Sequence, residues 1–421
     1  MHKELEPLNE HPYYDAREAR PVDERLAEQL STVREVLKHA RERSRYWGQA
    51  LADVEPQSIQ SLADMARVPL TRKADIPGRQ AEDPPFGGME AAPMSELAHV
   101  FQSPGPIFEA AETKGDYWRF GRAFWAAGLR PGQLVHNTFS YHLTPAGMMM
   151  DSGARAVGCP VFPAGIGNTD VQVEAIERLR PQVYGGTPSF LKALLDKGTE
   201  LGRDVSSIDR ALVGGEPLSG ALRQEMSGRG VRVLQAFATA ELGLVAFESE
   251  SLDGLIADED VLLEVVRPGS GDPVAAGEVG EMVVTVLRAG AFPVIRFATG
   301  DLTAFLPGPS PCGRTAPRIK GWMGRANQTT KVKGMFVTPE QINTIMARHP
   351  EISRARLVVT RDNEKDAMSL QVESTISDSA FAGQVAETLQ AVTKMRGQVQ
   401  IKGAGELPND GKVIADERSF D

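Results

Sequence analysis

Cysteine is nearly absent from the 421 residues: Cys159 and Cys312 stand far apart, with no CxxC and no Cys/His cluster. A disulfide framework and a structural zinc site are therefore not expected, and a reducing cytoplasm is the natural compartment. Cys159, in "VGCPVF", reads as a small buried hydrophobe. An excess of positive charge is missing too. Lys and Arg number 46 against 56 Asp and Glu, the formal net charge is -10, and no long basic run occurs. Neither nucleic acid nor an anionic membrane is expected as a partner by long-range attraction. No run of about 18 apolar residues is present, which excludes a transmembrane helix. The opening "MHKELEPLNEHPYYDAREAR" has no apolar core for a signal peptide. Internal repeats and low-complexity segments are lacking. With 41% hydrophobic and 24% charged residues, the composition is that of a soluble globular protein of more than one domain.

What is there begins with an amphipathic helix. After Pro21 and Asp23, Leu26, Leu30, Val33, Leu37 and Ala40 recur at helical spacing. The Pro/Gly-rich stretch at 77–94 reads as a loop or crossing segment. From about 116 to 240, helical segments alternate with short strands, from "DYWRFGRAFWAAGL" (helix) and "QLVHNTF" (strand) to "SGALRQEMSGRG" (helix) and "VRVLQAF" (strand). That alternation implies βαβ units and a parallel sheet. Ligands of such sheets bind at the carboxyl ends of strands. The loops there, "SYHLTPAG", "PAGIGNTD", "GGTPS", "GGEPLS" and "ATAELG", are rich in Gly, Ser, Thr and Pro. From 259 to 310 the pattern is antiparallel β without helices. The last hundred residues predict a separate α+β unit: a hairpin at "QTTKVKGMFV", a helix capped by Thr338 with Pro339 at its first position, two strands, a helix over 379–393, a strand and a Gly-rich tail. The expected fold is therefore α/β. A large N-terminal domain (1–325) combines a βαβ parallel sheet with an antiparallel β region, and a small mobile α+β C-terminal domain (326–421) follows.

Four short constellations could carry chemistry. "FATAELG" puts Thr239 and Glu241 at a strand's carboxyl end behind Phe237; a carboxylate and a hydroxyl there could hold Mg²⁺ and a phosphate oxygen. The alternative is a helix start with a Thr cap and an early Glu. "IRFATGDL" ends a strand with Gly300 and Asp301, whose carboxylate could accept two ribose hydroxyls, or be a solvated turn residue. "GRANQTTKVKG" offers Arg325 for a bidentate phosphate or ribose contact, against a plain basic linker. "ELPNDGKVIADER" puts Lys412 on a glycine turn, able to swing a point charge into a site, against a frayed tail.

In order and spacing these motifs resemble the phenylacetate–CoA ligase family of the adenylate-forming superfamily, from about Tyr46 to Arg418. "YWGQALADVEPQSIQSLADMARVPLTRKADI" is similar to that family's N-terminal region. "GGTPSF" and "GGEPLS" match its adenine loops, and "FATAE" its aromatic-Gly-x-Thr/Ser-Glu motif, with Ala238 and Ala240 as substitutions. "IRFATGD" matches the ribose motif, "RIKGWMGRANQTTKVKGMFVTPEQI" the hinge region, and "LPNDGK" the lysine-bearing tail.

The resemblance implies an enzyme that activates a carboxylic acid with ATP and Mg²⁺ to an acyl-adenylate and passes the acyl group to CoA. Phe237 would stack on adenine beside Ala238, and Gly215, Glu216 and Pro217 would line the base. Asp301 would hold the ribose, with Arg325 near ribose and phosphate. Thr239 would touch the α-phosphate and Glu241 would hold Mg²⁺. Lys412 would bridge the acyl carboxylate and the α-phosphate. Rotation about Asn327, where the family usually has Asp, would bring Lys333 and Gly334 to frame the CoA tunnel. Phe139, Tyr141 and His142, at a strand end facing the expected acyl site, favour an aryl or arylacetic acid, with a core role as the alternative.

The family's Ser/Thr/Gly-rich phosphate loop falls on "QSPGPIFEA". There Pro104 and Pro106 donate no hydrogen bonds, and Ile107 and Phe108 are apolar. The loop is expected to keep a short, stiff grip on the phosphates, with one hydroxyl from Ser103. Lys114 reads as a solvated loop lysine, with a charge for the phosphates as the alternative. Some relatives carry a Cys/His metal site in the β region; "ESESLDGLIADED" has no such ligands, so no zinc is expected. A small-molecule acid is the expected partner and a homodimer the expected assembly. Two other functions stay open: adenylation with an amine or carrier-protein acceptor, and a nucleotide-binding homologue that has lost catalysis.

Overall fold

The computed structural model describes residues 12–418 except 104–105, 113–114, 269–270, 324–325, 327–329, 333–334, 338, 363–364, 409 and 411. Arg325, Asn327, Lys333, Gly334, Thr338, Lys114, Pro104 and Gly105 thus lie outside the described residues. The chain divides into two compact units, Met1–Thr299 with Thr303–Met323, and Gly300–Leu302 with Gly324–Asp421.

In the first unit, five short strands form a parallel array in the order Arg232–Thr239, Arg210–Val213, Val183–Gly186, Val135–Asn137, Val161–Pro163. Helices Ala146–Ala156, Thr169–Leu179, Pro188–Leu201 and Gly220–Gly228 connect them, as the alternating pattern predicts. Local chemistry sets the starts. Thr187 accepts from Phe190 N at 3.3 Å ahead of Pro188, and Ser219 accepts from Leu222 N at 3.1 Å. The sheet then turns antiparallel through Gly243–Phe247, Leu255–Ala257, Arg318–Ile319 and Phe305–Leu306, nine strands among the described residues. Its core includes Phe124, Val135, Met150, Leu212 and Leu234. A second sheet joins Thr71–Arg72, Phe297–Thr303, Gly280–Val286 and Val261–Val266. The helix Val22–Arg43 buries Leu30, Val33, Leu37 and Ala40 on one stripe, the face its spacing predicts.

Four local readings differ from the sequence expectation. The 77–94 stretch is not all loop: Ile76–Glu82 is a helix, because Pro77 falls in its first turn, where a missing N–H costs nothing. The helix read from Asp116 starts at Phe120, because Arg119 adopts φ 67 and turns its buried guanidinium to Asp258, Leu242 O and Leu244 O. "FATAELG" is no helix start but the turn of a hairpin, since Ala236–Thr239 pairs antiparallel with Gly243–Phe247. The tail is not simply Gly-rich coil: Ile414–Asp416 adds a strand to the second unit.

That second unit has a four-stranded sheet, Gln398–Lys402, Lys365–Ser374, Ile352–Asp362 and Ile414–Asp416, with helices Pro339–Arg348 and Ser379–Thr393. Thr330–Val332 and Met335–Val337 form its expected hairpin. Ile342, Leu357, Leu370, Val385 and Leu389 fill its own core. Among the described residues no helix is long and apolar enough to cross a membrane.

Candidate active site

The site is built at the carboxyl ends of the parallel strands. The strand Val183–Gly186 ends in two glycines because the backbone must pass close to its neighbours: a Cβ on Gly186 would overlap Thr138 Oγ1 and Tyr184 Oη. Gly215, at φ +81 after Arg210–Val213, takes a conformation that disfavours other residues. The Phe139 ring packs beside it, 3.4 Å from where a Cβ would stand, an ordinary contact distance. These features open a cavity of about 140 Å³, lined by Phe120, Phe139, Met149, Met150, Val213 and Ala236. Its wall is almost wholly apolar. Its polar border is Ser103, Thr144 and Thr239, and Gly215 and Ala238 also face it.

Phe139 is thus brought to the cavity, and the other two aromatic candidates are not. Tyr141 faces a neighbouring groove with Trp118, Met148 and Asp151, and its hydroxyl accepts from Asn137 Nδ2 at 2.7 Å. Burial, reinforced by Asp151, pushes its phenol up to about 12, so it stays protonated. His142 is exposed, and its backbone N–H goes to Ser140 Oγ at 3.1 Å. The positive φ of Leu143 turns the loop outward here.

The turn after Phe237 is tightly braced. Thr239 Oγ1 accepts from Leu242 N at 3.3 Å, Leu244 N donates to Trp118 O at 3.0 Å, and Arg119 holds Leu242 O and Leu244 O at 2.5 and 2.8 Å. Glu241 is thereby carried inward, with its side chain only 4% exposed. Neither carboxylate oxygen makes a well-formed hydrogen bond, although Lys73 Nζ lies 2.6 Å from Oε1. An ionised carboxylate this deep needs a cation.

Lys73 was not singled out in the sequence, for a physical reason. It follows Thr71–Arg72, which pairs in parallel with Phe297–Ala298 more than two hundred residues away. Nothing local in "LTRKADI" announces that contact. Glu109 was missed likewise. It sits on Ile107–Ala111, which pairs antiparallel with His99–Ser103, so the described residues of "QSPGPIFEA" lie mostly in two paired strands. Ser103, expected to offer a hydroxyl to the phosphates, is buried and here donates that hydroxyl to Glu109 Oε1. Burial pushes the Glu109 carboxyl up to about 8; the Ser103 bond and Lys73 oppose that, and the Glu241 charge adds to it. Glu109 and Glu241 border one small internal space with Trp118 and Arg288.

The base-lining candidates are more open. Gly215 and Pro217 are exposed, and Glu216 accepts from Ser189 N at 2.6 Å, at the first turn of the Pro188–Leu201 helix. Asp301 and Lys412 fall in the second unit. Asp301 is buried in the strand Phe297–Thr303 behind Gly300 at φ +76. Lys412 is half-buried on a short connection into Ile414–Asp416.

A mixed sheet carries an apolar cavity and a buried acidic side chain at its strand ends, and similarity to known proteins gives the class as an adenylate-forming enzyme. Residues 138–286 match the AMP-binding enzyme family. The phenylacetate–coenzyme A ligase of Thermus thermophilus is 31% identical over 378 residues, covering 86% of this chain and 84% of that protein. The phenylacetate–coenzyme A ligase of Escherichia coli is 29% identical, covering 97% of each. The structure of 2-hydroxyisobutyryl-CoA ligase in complex with 2-HIB-AMP and CoA superposes with a TM-score of 0.72 at 26% identity, covering 99% of this chain and 94% of that one. The chain belongs to the phenylacetate–CoA ligase family and is an acid–CoA ligase.

Proposed function

We propose that this enzyme activates an aryl or arylacetic acid with ATP to an acyl-adenylate and transfers the acyl group to CoA. The observation that carries the reading is the apolar cavity that ends at Thr239, one turn from Glu241. About 140 Å³ walled by Phe139, Met149 and Met150 suits a compact, unsubstituted ring, and it offers no cation for a second carboxylate.

In the first half-reaction the acid's carboxylate oxygen attacks the α-phosphorus. The bond from that phosphorus to the bridging oxygen breaks, and pyrophosphate leaves with the electron pair. Negative charge builds on the phosphate oxygens, so fixed positive charge lowers the barrier. Lys412 is assigned to bridge the carboxylate and the α-phosphate, and Thr239 to touch the α-phosphate. Phe237, Ala238, Gly215, Glu216 and Pro217 hold the adenine, and Asp301 holds the ribose with Arg325. Lys73 supplies a charge that "QSPGPIFEA" has no basic residue to give. The residues also fit Mg²⁺: Glu241 presents two buried oxygens without a well-formed hydrogen bond, and no cluster of three acidic, His or Cys ligands exists among the described residues. That donor set suits a cation that keeps its waters and takes phosphate oxygens, and Mg²⁺ would there neutralise charge on the leaving pyrophosphate. The 326–421 domain is assigned as the lid that turns about Asn327, so that Lys333 and Gly334 frame the CoA thiol's path. A cytoplasmic compartment is supported by the two free cysteines.

The test is pyrophosphate exchange across a panel of aliphatic, hydroxylated and aromatic acids, followed by product analysis with CoA or amines. Exchange confined to hydroxylated aliphatic acids refutes the substrate class. Amide product without thioester refutes CoA as acceptor.

A further inference from the structure

The connection that carries Lys412 is pinned on both sides. Arg354 and Arg356 lie two residues apart on Ile352–Asp362, hence on one face of the sheet. Arg354 donates to Leu407 O at 3.2 Å and Pro408 O at 2.9 Å, and Glu373 accepts from Leu407 N at 2.8 Å. Beyond the connection, Leu357 N donates to Val413 O at 2.8 Å, and Ile414–Asp416 pairs in parallel with Leu357–Val359. Between these anchors stands an ion pair. Arg356 Nη1 donates to Asp410 Oδ1 at 2.7 Å, and that same oxygen accepts the backbone N–H of Lys412 at 3.1 Å. Arg356 is 7% exposed. Burial raises the Asp410 carboxyl, but the bonds from Arg356 and Lys412 outweigh it and keep the carboxyl below the usual range.

We propose that Arg356, acting through Asp410, is a positioning residue that fixes the backbone of Lys412 for the adenylation step. The inference rests on the assignment of Lys412 to that step. The lysine stem has four rotatable carbons, so its ammonium can be placed only if its backbone is fixed. A glycine immediately before the lysine in sequence supplies no stiffness of its own. Arg356 is buried but Asp410 is 36% exposed, so the pair adds little to stability, and what it contributes is the orientation of one N–H.

The experiment uses the full chain with Arg356→Met, Asp410→Asn and Arg356→Lys, beside Lys412→Ala. Two rates are read: pyrophosphate release from acid and ATP, and thioester formation from a supplied acyl-adenylate and CoA. Arg356→Met and Asp410→Asn are expected to lower kcat for the first by about 10- to 100-fold, the loss typical of a displacement near 1 Å. KM for ATP and acid, and the second rate, should stay within about twofold. Arg356→Lys, which keeps a donor for Asp410, should recover part of the loss. Unchanged adenylation in Arg356→Met and Asp410→Asn, with Lys412→Ala inactive, overturns the positioning role alone. Intact adenylation in Lys412→Ala overturns the assignment of Lys412 and the inference with it. Equal loss in both half-reactions means that the pair only holds the fold. Asp410→Asn decides the matter if Arg356→Met does not fold.

Discussion

Replacing Lys73 by Met removes the one cation, among the described residues, that pairs with a carboxylate that is almost fully buried. Breaking a fully buried pair costs roughly 3–5 kcal/mol, because the surviving charge is left uncompensated. Exposed pairs contribute only about 0–1 kcal/mol. Here Glu241 is 4% exposed and Lys73 is 30% exposed, so water reaches one partner and scarcely the other. The intermediate case gives a loss of about 2 kcal/mol for Lys73→Met in magnesium-free buffer. A divalent cation that binds only the native state restores stability by mass action. In the wild type it must compete with the Lys73 charge, and in the variant it need not. Urea unfolding with and without millimolar MgCl₂ should therefore show a larger upward shift in the variant than in the wild type. Adenylation should fall at the same time, since phosphate charge is then met by one cation fewer. A variant as stable as the wild type, with the same response to magnesium, would refute the picture of Glu241 as a carboxylate awaiting a cation.

Glu109→Gln should change the pH dependence of stability. A carboxyl whose folded pKa of about 8 lies above the unfolded 4.5 stabilises fully below 4.5, and that contribution is lost as pH climbs toward 8. The glutamine variant should gain on wild type by about 1–3 kcal/mol between roughly pH 5 and 8.5, each pKa unit being worth about 1.4 kcal/mol before screening. Parallel urea titrations at the two pH values check it, and a constant difference sinks it. Asp301→Ala should weaken AMP binding by about 1.5–3 kcal/mol, the range for hydrogen bonds to a charged group; calorimetry giving unchanged affinity in a folded variant would make Asp301 a turn residue only. Met150→Phe should fill the cavity and shift pyrophosphate exchange toward smaller acids, whereas an unaltered acid profile would place the acyl group elsewhere. Gly186→Ala should cost about 1–3 kcal/mol or more through overlap with Thr138 and Tyr184, and an unshifted Tm would show that the strand end can relax.

Much of the architecture was legible in the chain itself. The period of Leu30, Val33, Leu37 and Ala40 and the alternation of strands and helices from 116 to 240 are local patterns. Local energetics and the final fold agree there. The motifs ending in Glu241, Asp301 and Lys412 were legible for the same reason, since each is a run of neighbours in sequence. Phe139 could be named because a strand end projects its next residues toward the site. Tyr141 and His142 could not be placed, because the backbone turns at Leu143 in a way no residue type there announces. Tertiary structure alone decided the electrostatics. Lys73 meets Glu241 only because a two-residue strand pairs with Phe297–Ala298, and Ser103 meets Glu109 only because His99–Ser103 pairs with Ile107–Ala111. Arg356 reaches Asp410 across 54 residues by the same kind of long-range pairing. Charge interactions depend on distance and burial, neither of which sequence spacing encodes, so the residues that tune the site emerge only once the sheets are assembled.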